Sequence, residues 1–274
     1  METHTLFDIH GQTAVITGGS GALGSAMAAY LAHMGAKVVI VSRHADASSP
    51  VVEAIRAAGG DALGIACDVL DRAAVERAAQ EAEATFGPVD ILVNGAGGNH
   101  PRATTSDDAS FFDLDIQAVS AVFDVNFLGA VQCCQVFGRG MAQRGNGCIV
   151  NIASMSALRP LTRVPAYSAA KGALVNFTQW LAVHMAQEYN PAIRVNAIAP
   201  GFFLTEQNRF LLTDAQSGGM TPRGQTIIAH TPMARLGEAE DLLGTLLWLV
   251  SPASAFVTGI VVPVDGGFAA FGGV

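Results

Sequence analysis

The stretch PAYSAAKG at 165–172 sets a phenol, Tyr167, and an ammonium, Lys171, four positions apart with only small side chains between them. On a helix that spacing puts both on one face, one turn apart. A free tyrosine, with a pKa of about 10, is a poor base at neutral pH. A cation one turn away favours the phenolate and is expected to lower that value. The pair then suits proton exchange with an oxygen whose carbon gains or loses a hydride. Ser154, in NIASMSA thirteen residues earlier, can hydrogen-bond the same oxygen, and Asn126 in DVNFLG offers an amide that can hold a water in a proton relay. The small Ser168, Ala169 and Ala170 are read as room for a flat nicotinamide ring against the helix.

Hydride needs a carrier, and TGGSGALG at 17–24 has the form of a pyrophosphate turn. Its glycines let the backbone bend sharply and bring free N–H groups and a positive helix end to the phosphates, with Gly18, Ser20, Gly21, Ala22, Leu23 and Gly24 as the contacts. Asn94, Gly95 and Ala96 open a second turn without bulk, NGAGG at 94–98, and Asp68-Val69 is placed to meet the adenine. A dinucleotide fold usually carries a carboxylate about 20 residues beyond the first turn, for the ribose hydroxyls. Here that position reads Ser42-Arg43-His44. A hydroxyl beside a guanidinium suits a 2′-phosphate, which favours NADP(H), with NAD(H) as the alternative.

These groups need a scaffold that brings loop ends together. Apolar runs of strand length recur at 13–17, 37–41, 63–66, 90–94, 148–152, 193–198 and 260–264. Most are separated by segments of helical period, such as Leu23, Ala26, Met27, Tyr30, Leu31 and Met34 on one face. Strands apolar at nearly every residue need cover on both sides, so the order predicts a single-domain, doubly wound parallel sheet, a Rossmann fold. Both glycine turns then fall at the carboxyl ends of strands, where ligands bind. Residues 202–237, with Gly218-Gly219 and Pro222, read as an irregular flap over the site rather than a packed element.

Composition narrows the partners. A net charge of −8 tells against nucleic acid and anionic membranes. No unbroken apolar run approaches the ~20 residues of a membrane span, and the first residues carry no signal core, so a cytoplasmic protein is expected. Cys67, Cys133, Cys134 and Cys148 lack ligand spacing and are read as core residues, with no metal site. The apolar spread of Phe177, Trp180, Leu181, Val183 and Met185 around helix 166–188 exceeds what one sheet face covers and points to an oligomer.

In series these motifs resemble the short-chain dehydrogenase/reductase family, and the likeness runs from TGGSGALG through Asp68, NGAG, Asn126, Ser154 and YSAAK to APGFFLT and VDGG. The resemblance implies a catalytic tetrad of Asn126, Ser154, Tyr167 and Lys171, with Lys171 also bonding the nicotinamide ribose. It places Pro200, Gly201 and Thr205 beside the carboxamide and implies a homotetramer. Ala22 stands where the family has glycine, and Gly21 where a basic residue is usual, which tells against NADP(H). NGAGGNHPRATT, FFDLD, APGFFLTEQNR and VPVDGGFAAFGGV are further similar to the D-mannonate oxidoreductases, also called D-fructuronate reductases. That subgroup likeness implies a sugar-acid substrate. A gluconate, keto-gluconate or polyol dehydrogenase, a ketoacyl reductase and a non-catalytic NAD(P) sensor stay open beside it. A sugar acid would need a cation for its carboxylate and polar groups for its hydroxyls, for which Asn99, His100, Arg102, Arg159, Arg163, Arg209, Arg223 and His230 are the candidates.

Overall fold

The seven apolar runs become the seven strands of one sheet in the computed structural model, which describes residues 6–205, 209, 212–214 and 218–273. They are β1 (Thr13–Thr17), β2 (Lys37–Ser42), β3 (Ala62–Ala66), β4 (Val89–Asn94), β5 (Gly147–Ile152), β6 (Ile193–Pro200) and β7 (Val261–Val264). Their spatial order is β3-β2-β1-β4-β5-β6-β7, and every pairing is parallel. This is a Rossmann-like single domain, and the chain direction across the sheet reverses between β1 and β4. A crevice opens at that point, outside the strand ends.

Helices α1 (Ala22–His33), α2 (Ala45–Ala57), α3 (Arg72–Phe86), α4 (Ile116–Phe123), α5 (Gly129–Arg144) and α6 (Pro165–Glu188) follow in chain order. Alternate residues of each strand supply the two faces. Ala14, Ile16, Val38 and Ile40 point into a core with Met27 and Leu31 of α1, while Val15, Val39 and Leu92 point into the other with Val75 of α3, Phe137 of α5 and Leu181 of α6. That two-sided burial is why the strands carry no polar face.

Local signals set the ends of elements. Asp71 caps α3 by accepting from the N–H groups of Ala73 and Ala74, and Gly87, at φ 88°, ends it. The helical run Ile116–Arg144, which includes α4, α5 and the turn between them, reaches 29 residues and is long and apolar enough by composition to cross a membrane. Counting unbroken apolar runs misses it. In the fold its inward residues Ala130, Cys133, Phe137 and Met141 are buried, the last three within the second core. All four cysteines are buried and unbonded. Burial pushes the thiols up, to about 11 for Cys67 and about 12 for Cys134, so they stay protonated.

The region 202–237 is not wholly irregular. Thr221 caps a helix, α7 (Pro222–Ala229), by accepting from the Gly224 N–H, and Pro222 sits at its start, where a missing N–H costs nothing. Its Ile227 packs with Leu212 and Leu236, against Phe202 and Leu204, in a small apolar cluster of its own. Residues 206–208, 210–211 and 215–217 of that region lie outside the described residues. Helix α8 (Leu243–Val250) then returns the chain to the first core through Leu246 and Leu249.

Candidate active site

A cleft of about 430 Å³ opens over the ends of β1 and β4. Gly18, Ser20, Gly21, Ala22, Leu23 and Gly24 form one wall, as the sequence reading expects, and Gly95 and Ala96 face them. Gly18 has φ +68°, and a Cβ there would come within 2.7 Å of the Gly95 carbonyl oxygen. A Cβ on Gly24 would collide with the Gly18 carbonyl. Only glycine fits either position. Thr17 ties the two turns together, its hydroxyl accepting from the Gly95 and Ala96 N–H groups at 3.2 Å each. No side chain caps α1, so its first N–H groups are free to meet an anion. Ala22, the departure noted above, is the first residue of α1, and its methyl leaves the cleft open. This bare-backbone cradle fits a dinucleotide pyrophosphate.

At the other end of the cleft Asn126, Ser154, Tyr167 and Lys171 all line one space, with Pro200, Gly201 and Thr205 beside them. They come from different elements: a π-helical turn (Asp124–Leu128) between α4 and α5, the end of β5, and α6. Lys171 is 4% exposed, donates to the Ile152 carbonyl at 2.7 Å, and lies 5.6 Å from the centre of the Tyr167 ring. Burial lowers its pKa to about 8. Burial also pushes the Tyr167 phenol up, opposed only by the Ser154 hydroxyl next to it. The net lowering expected of the phenol is therefore corrected: burial outweighs the Ser154 contact, while the Lys171 ammonium donates its hydrogen bond to a backbone carbonyl. At neutral pH such a tyrosine is protonated and is present as a proton donor.

Asn126 is also more committed than a relay amide. Its Nδ2 donates to the carbonyls of Gly98 (2.6 Å) and Val122 (2.8 Å), and its Oδ1 accepts from the Gly98 N–H at 3.2 Å. It pins the loop after β4, and Gly97 is bare because a Cβ would strike that amide. The small residues around Tyr167 serve packing rather than a ring. Ala166 and Ala170 are buried, Ala166 beside Ala118 and Val122 of α4, and neither Ser168 nor Ala169 lines the cleft.

Ser42 and Arg43 line the far end of the cleft, where Ser42 Oγ donates to the His44 carbonyl at 2.8 Å. Val69 joins them, but two expected contacts do not. Asp68 turns its carboxylate back to the Leu70 N–H at 2.9 Å. Asn94 is buried, donating to Asn151 Oδ1 at 2.8 Å, because at the strand end its side chain falls on the core side of the sheet. Sequence reasoning missed Val41, Cys67, Val125, Ile152 and Phe202, which also line the space. Each sits at or next to a strand end or loop already singled out, which was the available signal.

The residues 12–216 match the family model described as short chain dehydrogenase. Over 97% of this chain and 98% of its own length, an uncharacterized oxidoreductase of Bacillus subtilis, UxuB, is 54% identical. A solved structure from Haemophilus influenza, provisionally named a D-mannonate oxidoreductase and holding NAD, is 42% identical, with a TM-score of 0.91 over 97% of this chain and 98% of that one. A gluconate 5-dehydrogenase from Burkholderia cenocepacia in complex with NADP and tartrate is 32% identical, with a TM-score of 0.86 over 97% and 98%. Around a glycine-walled crevice with a partly buried tyrosine and a buried lysine at its end, the chain matches named oxidoreductases over nearly its whole length, and it belongs to the short-chain dehydrogenase/reductase family.

Proposed function

We propose that this oxidoreductase reduces the keto group of a sugar acid with a nicotinamide cofactor, D-fructuronate to D-mannonate being the leading case. The observation that carries the reading is that Tyr167, Ser154, Lys171 and Asn126 share one end of a cleft whose other wall is bare glycine backbone. When bound, the reduced nicotinamide supplies the hydride. Gly18, Gly24 and Gly95 would hold the cofactor's pyrophosphate, and Pro200, Gly201 and Thr205 would lie beside its carboxamide. Ser154 orients the substrate carbonyl toward the phenol. Tyr167 gives its proton to the oxygen as the carbon becomes an alcohol, so the alkoxide never stands free. Lys171, 5.6 Å from the ring centre, steadies the phenolate left behind.

Two relatives support the choice of ligand. The Haemophilus structure carries NAD, and the gluconate 5-dehydrogenase carries NADP and a hydroxy acid, tartrate. Arg43, exposed at the far end of the cleft, supports NADP(H) over NAD(H) here. The segment 202–237, whose first residues line the cleft, covers the substrate. A matrix of D-fructuronate, keto-gluconates and uncharged ketoses against NADH and NADPH tests the reading. The expected result is turnover of D-fructuronate above every other ketose, with NADPH preferred. Turnover confined to uncharged ketoses or polyols moves the chain to the polyol dehydrogenase reading.

The outer face of α6 supports self-association. Trp180 and Val183 are each more than half exposed, and Phe177, Trp180 and His184 stack along a groove of about 690 Å³ shared with α5. Such a row gains by burial against a second copy. Light scattering at micromolar concentration is expected to give four times the 28.3 kDa chain mass, and Trp180→Glu a smaller particle. A monomeric wild-type mass overturns this.

A further inference from the structure

Most of the cations around the mouth of the cleft are already engaged. Arg102 pairs with Asp115 at 2.7 Å, Arg235 with Asp241 at 2.6 Å, and Arg159 donates to the Ala269 carbonyl at 3.0 Å. Arg223 differs from these. It is only partly exposed, on the first turn of α7, and among the described residues it has no carboxylate partner. A cation left half-dry without an anion is costly unless an anion arrives. Burial pushes the Arg223 guanidinium below its ordinary value, and the charge of another cation, Arg163, adds to the shift.

Arg163 carries a second sign of function. Its φ is +75°, a left-handed backbone that long side chains rarely adopt. Such strain persists only where the surroundings fix it, and it concentrates at ligand sites. Here the Arg163 carbonyl accepts from the Thr105 N–H at 2.9 Å, which locks the loop before α6 to the loop after β4. Its guanidinium meets Asp107 at 3.3 Å, but that carboxylate is 93% exposed, so the pair is weak and exchangeable. Neither arginine lines the cleft itself, but both belong to elements that adjoin it. Arg163 lies four residues before Tyr167, a span of at most about 14 Å. The helix of Arg223 packs through Ile227 against the cluster that holds Phe202, and Phe202 lines the cleft.

We propose that Arg163 and Arg223 together form the carboxylate receptor of the substrate, one on the loop before α6 and the other on α7, so that the acid group bridges the two. This rests on the sugar-acid reading and names what selects for it. Asp107 occupies Arg163 in the free protein, and the substrate carboxylate replaces it.

The test compares D-fructuronate with D-fructose, its uncharged counterpart, in wild type, Arg163→Gln, Arg223→Gln and Arg223→Lys. Binding of the cofactor, followed by nicotinamide fluorescence, reports that each variant is folded. The ratio of kcat/KM for the acid to that for the ketose is expected to fall by about 10- to 100-fold in either Gln variant, the scale of one charged hydrogen bond. The loss falls mainly on KM, and Lys at 223 restores part of it. Calorimetry of D-mannonate on the cofactor-loaded protein shows the same order of loss in affinity. An unchanged ratio in both Gln variants, with the wild type reducing D-fructuronate, overturns the receptor alone. A wild type that does not reduce D-fructuronate overturns the sugar-acid reading and the receptor with it.

Discussion

Tyr167→Phe loses about 10²- to 10⁴-fold in turnover while binding the cofactor as tightly as the wild type, the scale of a missing general acid. The ring itself is kept, so the packing of α6 against α4 through Ala166 and Ala118 stays intact. What disappears is the hydroxyl that gives its proton to the alkoxide oxygen as the hydride arrives. Stopped-flow measurement of cofactor absorbance separates the two effects, since binding persists and the hydride step stalls. The wild-type pH profile carries the same signature. Burial holds the phenol above its ordinary value, so it is protonated throughout the neutral range. Ketone reduction, which needs the proton present, is then expected to be flat from pH 6 to 8. Alcohol oxidation needs the phenolate and rises with pH, up to about tenfold per unit. Turnover of Tyr167→Phe within a few fold of wild type would falsify the role.

Much of this site was legible because each part leaves a mark in local sequence. β1 and β4 are apolar at nearly every residue, and that pattern arises only when both sides are covered. Gly18 and Gly24 are legible because backbone pressed on backbone excludes any side chain. What escaped depends on the third dimension. Spacing put Lys171 next to Tyr167 correctly, but could not say that desolvation governs both groups and reverses the shift expected of the phenol. Asn94 sits at a strand end, where one step of the period-2 alternation decides between cleft and core, and it went to the core. The π turn that presents Asn126 has no signature in DVNFLG. It is fixed by the amide's hold on Gly98, 28 residues away. Helix α7 is eight residues long inside a glycine- and proline-bearing stretch, too short for periodicity to rise above its breakers.

Lys171→Met is expected to separate stability from activity. The ammonium is buried with one carbonyl and one ring face as its surroundings, and its pKa falls to about 8 for that reason. The folded protein gives up this proton near pH 8, whereas the unfolded chain keeps it to 10.5, the ordinary value. Between those limits the unfolded state binds more protons, so stability rises with pH. Below pH 8 both states are charged and the cost of burying the charge is fully present. Methionine has nearly the same shape and no charge, so it removes that cost and gives up one hydrogen bond, worth about 1 kcal/mol. The cofactor-free variant is expected to melt at or above the wild-type temperature at pH 7, with its relative gain shrinking as pH rises from 8 to 10. Turnover meanwhile falls about 10²- to 10³-fold, as when one preorganised charge is taken from a dry site. Paired melting curves across pH, with single-turnover rates at pH 7, check both halves. A lower melting temperature that does not vary with pH means Lys171 is a structural residue. A near-normal rate means the phenolate needs no partner. Both findings would contradict a site in which the fold tolerates a buried charge for the sake of the chemistry.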